Sequence, residues 1–141
     1  MKYFDVFAES GFHSAFLTTY AFGAQAFEDV PFSRLRGSGC RNIVILADRQ
    51  MVNQSFAELG PPKFAGSSYH LVKADAPGAF HPKIWVLRFK PQGGIGAGKM
   101  RLLVLSRNLT KDRSWDISLR LDGDIGRRVA SGNKPIVDLL K

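Results

Sequence analysis

Two pairs of polar residues, each with one residue between its members, stand at the ends of two apolar runs. His81 and Lys83 open the first run, and Ser106 and Asn108 close the second. On an extended strand the side chains of residues i and i+2 point to the same face, so each pair presents both members on one side. If the two runs pair as antiparallel strands across the glycine-rich break between them, the four side chains converge. An imidazole, an ammonium, a hydroxyl and an amide suit a phosphate better than a neutral substrate, with the imidazole as nucleophile or general base.

The spacing of these residues resembles that of the phospholipase D superfamily, whose pattern is His-x-Lys-x4-Asp followed by Gly-Ser-x-Asn. His81, Lys83, Ser106 and Asn108 match this pattern. The resemblance covers residues 80 to about 121, and the rest of the chain has a compatible order of strands and helices. It implies an α/β fold with a mixed β-sheet flanked by helices, equivalent to one half of a phospholipase D-like protein.

Two positions depart from the superfamily pattern. The expected aspartate falls on Arg88 and the expected glycine on Leu105. The branch that lacks the aspartate and uses only His, Lys and Asn is that of the tyrosyl-DNA phosphodiesterases. Their second strand also runs into a Ser-Asn-Leu segment and a turn with Asp and Trp, similar to Trp115-Asp116 here.

The resemblance implies a role for each candidate residue. His81 is expected to attack phosphorus and form a phosphohistidine that water later releases, which requires a neutral imidazole. Lys83 is expected to hold the non-bridging oxygens, with Asn108 donating its amide to the same oxygens and Ser106 as a supporting donor. Asp116 is expected to orient a catalytic histidine; the alternative for it is a carboxylate at a strand edge that faces water.

Superfamily members build one active site from two halves, in which one histidine attacks and the other acts as general acid. Residues 1–141 carry one half. We therefore expect either a homodimer with both His81 side chains facing across a two-fold axis, or a second half beyond residue 141 in a longer protein. This chemistry requires no cofactor and no metal ion, because Lys83 and Asn108 supply the charge stabilisation that a metal would give.

Composition favours a polyanionic partner. The 141 residues include 20 Lys and Arg against 12 Asp and Glu, a net charge of +8. Such a balance is typical of proteins that bind nucleic acid, and the aspartate-free pattern favours DNA. No apolar run approaches the roughly 18 residues that span a membrane. The absence of a signal-peptide pattern at the N-terminus and the single cysteine, Cys40, predict a cytoplasmic protein.

The elements that must position these residues can be predicted from periodicity. Residues 14–22 and 40–47 are expected to form strands, and residues 23–35 and 49–59 helices. Pro31 indicates a break or a first-turn position in the first helix, and Asp48 is expected to be the N-cap of the second. A short strand over residues 69–73, the two runs described above, a turn at residues 122–124 and a C-terminal helix from Pro135 complete the order. Strand and helix alternate before several strands follow, which predicts one α/β domain over residues 1–141.

Three other interpretations compete with the nuclease. Arg88 and Leu105 are compatible with a degenerate phospholipase D-like module that binds nucleic acid or a protein without catalysis. A lipid phosphodiesterase is disfavoured because no amphipathic helix has a strong apolar face. Residues 93–100 resemble a nucleotide-binding P-loop, but this interpretation is rejected. Met100 replaces the required Ser or Thr, and the residues that follow are expected to form a strand, whereas a P-loop is followed by a helix.

Basic residues around the Asn108 turn are expected to form either a solvated face or a track for the phosphate backbone. They are Arg101, Arg107, Lys111 and Arg113. By analogy, a small nuclease of this kind suits restriction or anti-phage defence.

Overall fold

A computed structural model gives the structure of residues 11–75, 77–91, 98–111, 116–126, 128 and 130–139. The strands in these ranges are β1 (Phe12–Thr19), β2 (Asn42–Asp48), β3 (His70–Ala74), β4 (Ile84–Phe89), β5 (Lys99–Leu105) and β6 (Ser118–Asp124). They form one sheet in the order β3-β2-β1-β4-β5-β6. The α-helices are α1 (Ala24–Phe27), α2 (Ser33–Gly37), α3 (Arg49–Leu59) and α4 (Lys134–Leu139).

The sheet has a parallel half and an antiparallel half. Strands β1, β2 and β3 run parallel, joined by helical crossovers, whereas β1 and β4, β4 and β5, and β5 and β6 pair antiparallel. The predicted mixed α/β domain is therefore confirmed. So is the pairing of the two apolar runs, since Ile84 lies opposite Val104 and Phe89 opposite Lys99. The start of β4 thus lies beside the end of β5.

Alternate side chains of the four central strands form the core, as the period of two along a strand requires. Helical residues cover this face of the sheet and bury Phe27, Leu35 and Val52 against it. The buried strand residues of the cluster are Phe12, Ala15, Leu17, Ile43, Ile45, Ala47, Trp85, Leu87 and Leu103. Because both layers are packed, the ends of the central strands are fixed relative to one another.

The first crossover is helical, as predicted over residues 23–35, and it is interrupted around Pro31, where the sequence indicated a break or a first-turn position. A π-helical segment, Glu28–Phe32, separates α1 from α2 and contains Pro31. Proline has no N–H to donate, so an interrupted ladder of hydrogen bonds accommodates it. The segment is stabilised by Glu28, whose carboxylate accepts hydrogen bonds from the hydroxyl of Tyr69 and the backbone N–H of Phe64.

The turn expected at residues 122–124 is wrong, because these residues complete β6. Asp122 accepts two hydrogen bonds from the guanidinium of Arg101, which is 1% exposed. Within the described residues, no helix has both the length and the apolar character needed to cross a membrane.

Candidate active site

His81 and Lys83 form a contact pair immediately before β4. The Nζ atom of Lys83 lies 3.0 Å from Nδ1 and 3.2 Å from Nε2 of His81, and it donates to the His81 carbonyl oxygen at 3.2 Å. The imidazole is exposed, whereas Lys83 is only 9% exposed. Burial lowers the pKa of the Lys83 ammonium from its ordinary value. The pair therefore presents an accessible ring backed by a partly desolvated cation.

The ammonium of Lys83 can donate to only one of the two ring nitrogens of His81. It has three N–H donors and no acceptor, whereas a neutral imidazole has one acceptor nitrogen and one N–H group. Nζ lies within 3.2 Å of both ring nitrogens, and the tautomer decides which of them accepts. A neutral imidazole is the form that can act as a nucleophile.

The segment that carries the pair is held at both ends. On one side, the carboxylate of Asp48 accepts a hydrogen bond from the backbone N–H of Phe80 at 2.9 Å. On the other, the hydroxyl of Thr18 accepts from the N–H of Ile84 at 2.8 Å and donates to its carbonyl at 3.2 Å. The sequence predicted that His81 and Lys83 lie on a strand, but β4 begins at Ile84, directly after Lys83. These side-chain hydrogen bonds hold the segment 81–83 in place of the backbone hydrogen bonds of a strand.

Asp48 performs two tasks at this point. Its other carboxylate oxygen accepts from the backbone N–H groups of Gln50 and Met51 and so caps α3, as the sequence predicted. The hydrogen bond from Phe80, with those from the cap, lowers the pKa of the Asp48 carboxyl. One carboxylate thus joins the end of β2, the start of α3 and the segment leading to His81.

Asn108 follows the end of β5, which lies beside the start of β4 and the residue Lys83. Its Oδ1 accepts a hydrogen bond from the backbone N–H of Ala21 at 3.3 Å and lies 3.5 Å from the hydroxyl of Thr19. A backbone N–H can pair only with the amide oxygen, which fixes the orientation of the side-chain amide. The amide nitrogen, with two N–H donors, is the part of Asn108 that remains to serve a substrate.

Ser106 and Asp116 form a separate contact next to this site. The hydroxyl and the backbone N–H of Ser106 both donate to Oδ1 of Asp116, at 2.8 and 3.2 Å. The N–H of Ile117 in turn donates to the Ser106 hydroxyl at 3.0 Å. These bonds close the loop between β5 and β6. Asp116 therefore fixes the position of Ser106, and the expected role of Asp116 in orienting a histidine stays a prediction. Trp115, which the resemblance also uses, lies outside the described residues.

The link between the two polar pairs is a feature that sequence reasoning missed. The ring of Tyr20 packs on the ring of His81 with centroids 4.9 Å apart and planes tilted by 45°. Its neighbours Thr19 and Ala21 contact Asn108. The only signal in the sequence was the cluster Thr-Thr-Tyr at the end of an apolar strand, which indicated no partner.

The expected basic track is partly wrong. Arg101 lies near the far end of β5, buried against Asp122, and cannot line the Asn108 turn. Lys111 is exposed and pairs with Asp29 at 3.6 Å. Arg107 is half-buried, and its Nε atom has no hydrogen-bond partner in the described part of the chain. Arg113 lies outside that part. Arg107 and Lys111 therefore remain as basic side chains beside Asn108.

Two alternative sites find no support. The Gly-rich loop falls largely outside the described residues, but Lys99–Leu105 after it is a strand, not the helix that a P-loop requires. In the described ranges, no three His, Cys, Asp or Glu side chains are grouped so as to hold a metal ion.

Sequence comparison adds no relative to this picture, since no protein-family model matches the chain and no curated protein is significantly similar to it. The site must therefore be judged by its geometry. An exposed imidazole, a buried ammonium and an anchored amide, carried by neighbouring strand ends, have the chemistry to bind an anion and attack its electrophilic centre.

Proposed function

We propose that this chain is one half of a metal-independent phosphodiesterase of the phospholipase D type that cleaves nucleic acid. The observation that carries the proposal is the contact of the Lys83 ammonium with both ring nitrogens of His81. A cation held against an imidazole is suited to bringing a negatively charged phosphate to a nucleophile, because it attracts the phosphate to the ring that attacks it.

In the first step, a ring nitrogen of His81 attacks phosphorus. A P–N bond forms, the P–O bond to the leaving nucleoside breaks, and that oxygen takes a proton from a general acid. In the second step, a water oxygen attacks phosphorus, the P–N bond breaks, and the conjugate base of the same acid accepts the proton of water. The products are a phosphomonoester and an alcohol, and His81 is regenerated.

Charge stabilisation is assigned to Lys83 and Asn108. During attack the ammonium moves its hydrogen bonds from the imidazole to the non-bridging oxygens, where negative charge accumulates. The amide nitrogen of Asn108 donates to the same oxygens, while Ala21 holds its carbonyl oxygen. Because Lys83 is largely removed from water, its charge acts through a lower effective dielectric than an exposed lysine.

Ser106 and Asp116 are proposed to support this site from the β5–β6 loop. Asp116 accepts from the Ser106 hydroxyl, so that Ser106 is held in place close to Asn108. Ser106 then acts as a supporting donor. We retain the orientation of a histidine by Asp116 as part of the proposal, with the histidine of the second half-site as its target.

Nucleic acid is the proposed substrate because of charge. The chain carries a net +8, and Arg107 adds positive charge beside Asn108, whereas the charge of Lys111 is offset by Asp29. Contacts of this kind bind phosphates without regard to sequence and weaken as salt rises. DNA is favoured over RNA only by the resemblance to the tyrosyl-DNA phosphodiesterases.

Neither departure from the superfamily pattern places a side chain in the proposed chemistry. Arg88 is exposed on β4, five residues after Lys83, which places it roughly 16 Å along the strand. Leu105 contributes its backbone N–H to the Lys83 carbonyl at 2.9 Å, a bond that does not depend on its side chain. We therefore favour the catalytic half-site over the degenerate binding module.

A second half-site must supply the general acid. We propose a homodimer in which two His81 side chains face each other across a two-fold axis, with a second half in a longer protein as the alternative. Sedimentation of the purified chain separates these two cases, since the first predicts a dimer and the second a monomer.

The test is cleavage of labelled single- and double-stranded DNA in EDTA by the wild type, His81→Ala and His70→Ala. His70 is an exposed histidine on β3 and serves as the matched control. We expect the wild type and the control to cleave and His81→Ala to be inactive. Cleavage by His81→Ala would refute the proposal. Absence of cleavage by a dimeric wild type that still binds DNA would favour the degenerate module.

Trapping of the intermediate distinguishes catalysis from binding directly. Brief incubation with a 32P-labelled substrate, followed by denaturation at alkaline pH, should leave label on the wild type and none on His81→Ala. A nuclease that shows cleavage without such an adduct would act by direct attack of water, and His81 would then be a general base.

A further inference from the structure

The end of β1 and the residues after it contact both polar pairs. Tyr20 contacts His81, and Thr19 and Ala21 contact Asn108. Thr19 is 1% exposed; its hydroxyl accepts from the backbone N–H of Leu109 at 3.1 Å and donates to the carbonyl of Ala21 at 2.8 Å. Ala21 contacts Asn108 through its own N–H. Thr19 and Ala21 are therefore both bonded to the segment 108–109, and Tyr20 lies between them.

The same connection continues one turn further. The N–H of Gly23 donates to the carbonyl of Leu109 at 2.7 Å. A Cβ at position 23 would lie 3.2 Å from that oxygen, so the close approach favours glycine. With fixed residues on both sides, the backbone of Tyr20 has little freedom, and the half-buried ring is directed onto His81.

His81 needs such a contact because it is exposed. An exposed side chain can populate several rotamers, and in the structure the His81 ring is held against Lys83. The contact with Tyr20, at 4.9 Å between centroids, lies in the range in which aromatic rings attract one another. It favours the rotamer in which the imidazole reaches both the ammonium and the substrate side of the site.

We propose that Tyr20 is a positioning residue for His81, and that the segment Thr19–Ala21 sets His81 and Asn108 relative to each other. The kinetic consequence rests on the proposed function, whereas the structural relationship does not. Tyr20 touches neither phosphate nor water in this proposal, since it acts only through the ring of His81.

The test uses Tyr20→Leu, which removes the ring, and Tyr20→Phe, which keeps it. The first readout is the 1H–13C NMR signal of the Cε1–H group of each histidine, and it needs no activity. The ring current of Tyr20 acts on His81, so we expect Tyr20→Leu to move the His81 signal while those of His13 and His70 stay in place. Tyr20→Phe should leave all three close to the wild type. An unmoved His81 signal in Tyr20→Leu would overturn the proposal.

The second readout is kinetic. In an active protein, Tyr20→Leu should lower kcat about fivefold and leave KM within about twofold, because the population of the reactive rotamer changes and not the affinity for phosphate. Tyr20→Phe should restore kcat. Equal losses in both variants would show that the hydroxyl matters and would overturn positioning by the ring. If the wild type proves inactive while the His81 signal responds as expected, the proposed function fails and the positioning relationship stands.

Discussion

The amide oxygen of Asn108 accepts a hydrogen bond from the backbone N–H of Ala21, at 3.3 Å. This contact joins the segment after β5 to the end of β1, two strands away in the sheet. It also decides which end of the amide faces the candidate site, since an N–H group cannot pair with another N–H group. This hydrogen bond therefore fixes the direction in which Asn108, the phosphate ligand predicted from sequence, presents its amide nitrogen.

That direction makes Asn108→Asp an informative change. A carboxylate keeps the acceptor for Ala21, so the melting temperature should stay within about 3 °C of the wild type. It also removes the N–H donors and adds a negative charge beside the phosphate. We expect kcat/KM to fall by at least about a hundredfold. The control is Asn53→Asp, an exposed position on α3 whose oxygen accepts from Lys73 and whose change should leave activity intact.

The pH dependence of activity should identify Lys83. Burial lowers the pKa of its ammonium below 10.5, so the charge that holds the phosphate is lost earlier than for an exposed lysine as pH rises. The alkaline limb of kcat/KM should therefore have its midpoint below pH 10.5. In Lys83→Arg this limb should disappear, because a guanidinium stays protonated at alkaline pH. The maximal rate should fall, because the planar guanidinium does not reproduce the compact charge of the lysine ammonium. An alkaline limb that is identical in both proteins would assign it to another group.

Loss of Asp48 should disturb stability and catalysis together. Asp48→Ala removes the cap of α3 and the acceptor of Phe80, and we expect the melting temperature to fall by about 5 °C. The segment carrying His81 loses one of its two anchors, so activity should fall more than unfolding explains at 25 °C. Asp48→Asn keeps an acceptor oxygen for the cap and should recover most of the stability. Asp75→Ala removes an exposed carboxylate near the same edge and serves as the control for charge.

The ion pair of Asp122 with Arg101 should make stability depend on acid pH. The hydrogen bond from the Arg101 guanidinium lowers the pKa of the Asp122 carboxyl to about 2. A carboxyl whose pKa is lower in the folded state stabilises the fold above its unfolded value of 3.8, and this stabilisation is lost as pH falls through 2. Because 42% of the Asp122 side chain is exposed, we expect about 1 kcal/mol after allowance for solvent screening.

Urea unfolding of the wild type and Asp122→Asn checks this at two pH values. The free energies of unfolding should differ by about 1 kcal/mol or more at pH 7, and the difference should narrow as pH approaches 2. Asp124→Asn, at an exposed position of the same strand, is the matched control and should show no such trend. A difference that does not vary with pH would mean that lost packing, and not the carboxylate charge, destabilises the variant.

The regular elements could be predicted well because their causes are local. The helix 49–59 and its cap at Asp48 follow from the apolar period and from a side chain that competes for the first N–H groups. The strands follow from runs of apolar and β-branched residues. Prediction was wrong at 122–124, where partners on β5 extend a strand that Gly123 was expected to end. At Pro31 the sequence indicated an interruption but not the π-helical segment that keeps the crossover helical.

The sequence by itself determined the chemical inventory of the site and the pairing that brings it together. Two polar pairs at the ends of consecutive apolar runs are expected to approach each other if those runs form a hairpin, and the pairing of β4 with β5 places the start of the first run beside the end of the second. What only the tertiary structure decided is the contact of each side chain. Arg101 does not line the expected basic track but forms a buried ion pair with Asp122, and the hydroxyl of Ser106 donates to Asp116. Tyr20, from a strand about 60 residues earlier, becomes the neighbour of His81. Such contacts depend on strand order and on packing across the sheet, which no local pattern encodes.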